Sequence, residues 1–330
     1  MSYEERYRGR RVLITGGLGF IGSNLARRLV ELAAEVALVD ALIPEYGGNR
    51  ANIAGIEERV DVHVADVRDT RSLPALLRGH ELVFNLAGQT SHVDSLHDPY
   101  TDLEINCRAQ LSILETVRHV NPEAKVVFAS TRQLYGRPQY LPVDERHPLA
   151  PVDPNGVNKA AGEWYHLVYG RIYGLRCSVL RLTNTYGPRM RVKDDRQTFL
   201  GIWLRRVVQG EELLVFGDGT QRRDFTYVDD AVEAFLLAGA SEAADGEVFN
   251  VGGEPPVSLA ELAQVLVELA GAGSWRLVPF PEERRTIDIG DYYADDSKLR
   301  SRLGWEPRVG LREGLERSLA FYREHGAWYW

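Results

Sequence analysis

RVLITGGLGFIGSNLARRLVELAAEVALVD, residues 11–40, decides the fold. RVLIT (11–15) is a short aliphatic and β-branched run of strand length. SNLARRLVEL (23–32) carries its apolar residues at helical spacing, and EVALVD (35–40) is again a strand. Between the first strand and the helix lie Gly16, Gly19 and Gly22. A tight turn, a close approach of backbone to a pyrophosphate and close helix–strand packing each require a residue without a side chain. The freed N–H groups at the helix start then bind phosphate. Asp40 ends the second strand, where a carboxylate hydrogen-bonds an adenosine ribose and repels a 2′-phosphate. NAD is therefore expected rather than NADP.

The alternation continues outward. Strands are expected at 60–66, 82–87, 125–130 and 176–182, with helices at 71–79, 102–120 and 155–173. Such alternation needs right-handed crossovers and a parallel sheet, so the fold class is α/β, a doubly wound Rossmann-like sheet. After about residue 182 the loops lengthen and collect basic residues. The expected division is a cofactor domain over 1–182, with 224–250 packing back on it, and a substrate lobe over 183–223 and 251–330.

Composition narrows the function. A net charge of −8 over 330 residues argues against a general nucleic-acid binder. No apolar run reaches membrane-spanning length, and the charged start MSYEERYRGRR has no signal-peptide core. The cysteines, Cys107 and Cys177, fit neither a metal-ligand spacing nor a disulfide framework. A cytoplasmic protein with no metal and no nucleic-acid or membrane partner is expected.

The motif order resembles the extended short-chain dehydrogenase/reductase family, in its NAD-dependent nucleotide-sugar epimerase/dehydratase branch. The resemblance rests on the G-x-x-G-x-x-G spacing in TGGLGFIG (15–22), on ADVRD (65–69), on NLAGQTSHVDS (85–95), on Asn106, and on ASTRQLYG (129–136). It runs from about residue 11 to about residue 316. It implies that Gly16, Gly19, Phe20, Ile21, Gly22, Asp40, Asp66, Val67, Leu86, Ala87 and Lys159 hold NAD. It implies a homodimer through the helices at 102–120 and 155–173, with Leu103, Leu111, Leu114, Trp164, Leu167 and Val168 as contacts. Packing of those residues on their own sheet is the competing reading.

One position departs from the family. Its signature is Tyr-x-x-x-Lys; here Lys159 is present in PVDPNGVNKAAGE (151–163), but Asn155 occupies the Tyr position. The family Lys lowers the Tyr pKa, and the phenolate takes the proton. An amide cannot act as a base at neutral pH. The proton carrier is then Lys159, a water held by Asn155 and Thr131, or a tyrosine such as Tyr135 or Tyr186, unless the protein only binds its ligands. Thr131 is expected to hydrogen-bond the sugar hydroxyl that is oxidised.

The residues after Thr131 are Arg132 and Gln133, where the dehydratase branch carries Asp and Glu. This favours an epimerase acting through a transient keto-sugar with tightly held NAD. A dehydratase and a catalytically impaired binder are the alternatives. By resemblance, Asn184 and Arg223 contact a nucleotide diphosphate and Arg285 supplies a second guanidinium, with surface ion pairing as the competing reading of the arginines; Phe216 either stacks on the base or is a strand core residue. The charged loop PRMRVKDDRQ (188–197) is either a ligand contact or a solvated loop. His92 and His97 are assigned no role.

Overall fold

The computed structural model describes residues 3–194, 196–252 and 255–330. Asp195, inside the charged loop, lies outside the described residues, as does the Gly253–Glu254 pair at the start of the expected lobe. The central element is a seven-stranded sheet. Its strands are β1 (Arg11–Thr15), β2 (Glu35–Asp40), β3 (Val60–Val64), β4 (Leu82–Asn85), β5 (Lys125–Thr131), β6 (Arg176–Leu182) and β7 (Val248–Val251). The spatial order is β7-β6-β5-β4-β1-β2-β3, and every pairing is parallel. Strands buried on both faces read as continuous apolar runs, as VLI in β1 and VVFA in β5 do.

The strand order reverses between β1 and β4, and ligands in such sheets bind outside the carboxyl ends at that point. Thr15 pins the two ends together. Its hydroxyl donates to Asn85 Oδ1 at 2.8 Å and accepts from the backbone N–H of Leu86 and Ala87, each at 3.1 Å.

Helices cover both faces. On one side α1 (Phe20–Glu31) packs with α4 (Val228–Ala240). On the other lie α2 (Ala109–Val120) and α3 (Pro154–Tyr173). The helix expected over 102–120 is not one regular element. A short helix, Pro99–Leu103, passes through a π-helical turn, Glu104–Arg108, before α2 begins. A π-turn inserts an extra residue and re-aims side chains, often at functional sites. Here it turns Asn106 inward, donating to the Gln89 carbonyl at 2.9 Å.

α3 starts sharply because Asp153 caps it, its Oδ1 accepting from the Gly156 N–H at 2.7 Å, with Pro154 in the first turn. Such a cap contributes about 1 kcal/mol. Gly174 ends the helix at φ +73°, a left-handed position that a Cβ would disfavour. Of the expected interface residues, Leu114 is fully buried in the sheet-facing core, whereas Leu103 and Trp164 are exposed. The remaining chain builds a layer from Phe199–Val208, Leu259–Ala270 and Leu311–His325, beside a parallel strand pair, Glu212–Phe216 with Ser274–Val278.

Candidate active site

Two adjoining cavities open at the carboxyl edge of the sheet. The first is lined by Gly16, Gly19, Phe20, Ile21, Gly22 and Asp40 from the first β-α-β unit. Asp66, Val67, Leu86 and Ala87 add the next two strand ends. The sequence-predicted cofactor residues therefore converge. The glycine cradle has little tolerance. A Cβ on Gly22 would come to 2.2 Å from the Gly16 carbonyl oxygen, and one on Gly16, at φ +68°, to 3.0 Å from Ala87 N. Asp40 is held by the N–H groups of Leu18 (3.0 Å) and Leu42 (2.9 Å), one on each carboxylate oxygen. Each oxygen keeps a further lone pair for a ribose hydroxyl. Burial nonetheless pushes the Asp40 pKa up. Asp66 is fixed by a forked contact from Arg68, which outweighs burial and lowers its pKa. This donor set fits an adenine dinucleotide without a 2′-phosphate.

At the inner end of the same cavity stand Thr131, Asn155 and Lys159. Asn155 comes from the first turn of α3 and is 2% exposed. Its Nδ2 donates to the Gln89 carbonyl and to Asp102 Oδ2, both at 2.9 Å. Both partners are acceptors, which fixes the amide orientation. With its two hydrogens spent, Asn155 has only an acceptor, Oδ1, left to offer the cavity. Thr131 is its complement. Its Oγ1 accepts from Gln133 N at 3.2 Å, which leaves the hydroxyl hydrogen to donate.

Lys159, one turn along α3, is buried and donates to the Ala129 carbonyl at 3.2 Å. Burial pushes its pKa down to about 8, against the opposing field of Asp102. Gly88 makes room for it, since a Cβ there would lie 2.8 Å from Nζ.

Asp102 was not singled out in the sequence. It is fully buried, and its other oxygen accepts from Asn158 Nδ2 at 2.8 Å. The only trace in the sequence is an acid four residues before Asn106, and the π-turn makes that spacing hard to convert into a direction.

Neither alternative tyrosine lines the cavity that holds Thr131, Asn155 and Lys159. The Tyr135 hydroxyl donates to Asn250 Oδ1 at 2.7 Å and accepts from Arg181, and burial raises its pKa to about 12. Tyr186 is 1% exposed and donates to the Leu311 carbonyl at 3.1 Å. Gln133 is buried and donates to Asp153 Oδ2 at 2.9 Å. His92 lines both cavities, with Nδ1 3.1 Å from the same carboxylate oxygen.

The second cavity is lined by Asn184, Phe216 and Arg223, as expected, together with Arg132 and Arg284. Phe216 meets Phe280 edge-on, their ring centroids 6.0 Å apart. Arg223 is held by the carbonyls of Arg222 and Gly290, with Asp288 at 3.7 Å; burial lowers its pKa to about 9. Arg285 is not brought in. It is largely exposed and pairs with Glu282 at 3.5 Å, and it is the preceding Arg284 that faces the cavity. The four-residue helix Glu282–Arg285 turns the two side chains apart. In the charged loop, Arg189 and Arg191 are occupied by Asn24 and Asp194, while Arg196 reaches the cavity and pairs with Asp94 at 3.2 Å.

A sequence profile of the family described as GDP-mannose 4,6 dehydratase matches residues 13–318, and the chain belongs to that family of NAD-dependent nucleotide-sugar enzymes, within the extended short-chain dehydrogenases. The UDP-glucose 4-epimerase of Mycolicibacterium smegmatis is 33% identical over 317 residues, 95% of this chain and 98% of that protein. The solved structure of the epimerase Mth375 of Methanothermobacter thermautotrophicus superposes with a TM-score of 0.92 at 27% identity, covering 98% and 95% of the two chains. A dTDP-glucose 4,6-dehydratase of Streptomyces venezuelae, solved with NAD bound, gives 0.88 at 29% identity, covering 97% and 98%. The cofactor is NAD.

Proposed function

We propose that this protein is a nucleotide-sugar epimerase that oxidises a sugar hydroxyl, lets the keto-sugar turn, and reduces it on the other face. The observation that carries the reading is the pairing of a donor, Thr131, with an acceptor, Asn155, beside Lys159 in the cofactor cavity. NAD, when bound, would supply a hydride acceptor and donor at this site. The protein's own residues manage the proton. A sugar hydroxyl accepts from Thr131 and aims its own hydrogen at Lys159, or at a water held by Asn155 Oδ1. Lys159 in its neutral form takes the proton, directly or through one water, and gives it back when the carbonyl is reduced. A pKa near 8 suits both directions at cellular pH.

The neighbouring residues favour epimerisation over dehydration. Loss of water across two carbons needs an acid and a base beside Thr131. Arg132 and the buried amide of Gln133 supply neither. The diphosphate is assigned to Arg223 with Arg284 at the cavity wall, and the base to Phe216. Asn184 is held by Arg132 and by the Asp224 carbonyl, and its second Nδ2 hydrogen remains for the ligand. The cofactor region spans 1–182 with 224–250, and the substrate region 183–223 and 251–330. Tyr100, Leu103, Val157 and Trp164 form an exposed apolar face on Pro99–Leu103 and α3, which supports a homodimer. The protein is assigned to the cytoplasm.

Turnover of UDP- and dTDP-sugars by the NAD-loaded protein tests the reading. Replacing Lys159 by Ala should abolish conversion beyond any loss of NAD content. Asn155, an amide where the family has a phenol, favours a second reading, a binder without turnover. That reading predicts tight sugar-nucleotide binding and no product with any sugar.

A further inference from the structure

Arg132 stands where the two cavities meet and lines both. It opens the short turn Arg132–Tyr135 directly after Thr131, so its guanidinium lies between the residues assigned to the reacting hydroxyl and those assigned to the diphosphate. One edge of the guanidinium is fixed. Nη2 donates to Asn184 Oδ1 at 3.0 Å, and Asn184 is itself anchored by donating to the Asp224 carbonyl at 2.9 Å. The ring of Tyr292 lies 5.3 Å from the guanidinium carbon. The other edge is unused: Nη1 is buried without a hydrogen-bond partner among the described residues.

Charge around Arg132 is likewise incomplete. Among the described residues it forms no ion pair with a carboxylate, although Asp224 and Asp288 favour its charge from farther away. A second buried guanidinium, Arg223, repels it. Burying a cation with one unsatisfied edge is costly, and an anion that approaches that edge recovers the cost. In the nucleotide-sugar reading, on which this inference rests, the diphosphate answers Arg223. Arg132 is left for a second anion nearer Thr131.

We propose that Arg132 recognises a carboxylate on the sugar, so that the preferred ligand is a nucleoside diphosphate carrying an acidic sugar rather than a neutral hexose. The planar fork suits a carboxylate, and Asn184 and Tyr292 hold it in one orientation before the ligand arrives. Arg132 is then a specificity-determining residue. It moves no proton.

Calorimetric binding to the NAD-loaded protein, without turnover, tests this with UDP, UDP-glucose and UDP-glucuronic acid on the wild type, Arg132→Gln and Arg132→Lys. The wild type should bind the uronic acid roughly ten- to a hundredfold more tightly than the neutral sugar, as expected for a charge-assisted hydrogen bond. Arg132→Gln should erase that difference while changing UDP affinity less than about threefold, and Arg132→Lys should recover part of it. Equal wild-type affinity for the two sugars overturns the proposal, even if neither variant folds. An equal loss for UDP alone and for both sugars in Arg132→Gln overturns it too, by assigning the guanidinium to the diphosphate. If none of the three ligands binds, and dTDP-glucose also fails, the nucleotide-sugar reading falls and takes this inference with it.

Discussion

Asn155 Nδ2 donates to Asp102 Oδ2 at 2.9 Å, and this bond turns the amide so that only its oxygen is left for the cavity. Asn155 is thereby a fixed acceptor. An amide takes no proton at neutral pH, and the proposed mechanism gives that role to Lys159, which is buried on the same helix.

Replacing Asp102 by Ala removes the acceptor of both Asn155 and Asn158. Each of two buried amides loses one acceptor, and destabilisation of about 2 kcal/mol is expected, read as a lower urea midpoint at unchanged slope. Turnover should fall more than NAD content does. Wild-type turnover in the variant would show that the orientation of Asn155 is irrelevant.

Lys159 gives the pH dependence a direction. Its pKa in the fold is about 8, below its usual value near 10.4 in an unfolded chain. Between those values the unfolded state binds the extra proton, so this group makes the fold more stable as pH rises from about 8. In the proposed mechanism the neutral amine is the base, so kcat/KM should climb with pH and level off above about 8. Lys159→Arg should remove that limb; a profile flat from pH 6 to 9 would assign the proton elsewhere.

The β1–α1 turn was legible because each glycine there answers a steric demand that sequence spacing displays. The seven-stranded sheet was legible only in part. VFNV, the core of β7, is four residues deep in a segment dominated by helix α4, and its partner β6 lies some seventy residues earlier, a pairing that local patterning does not show. Asp102 escaped because its direction depends on a π-turn, which no periodicity announces. Arg285 was misdirected by one residue. A doublet of arginines on one helical turn does not reveal which of them faces inward, and the structure gives that place to Arg284.

Substituting Gly22 by Ala drives a Cβ to 2.2 Å from a backbone oxygen of the phosphate-binding turn. The protein should be isolated with its NAD content reduced at least roughly tenfold, since backbone must shift at the turn proposed to hold the pyrophosphate. Full NAD occupancy, measured by absorbance after denaturation, would contradict the assignment of this turn.

Behind the site, Glu163 pairs with Arg181 and accepts from Ser130 at 2.9 Å, with both charged side chains almost fully buried. Glu163→Gln leaves the guanidinium without its counter-charge, and about 3 kcal/mol of stability should be lost in denaturant unfolding. A loss below about 1 kcal/mol would mean that water reaches the pair.

The most direct test of the central claim is the mass of the product formed in heavy water. The NAD-loaded protein would be incubated in D2O with neutral and acidic UDP- and dTDP-sugars, and the products read by NMR and mass spectrometry. Epimerisation through internally returned hydride predicts a stereoisomer with no deuterium on carbon. Deuterium on carbon, or a product lighter by one water, would contradict it, as would binding of every sugar with conversion of none.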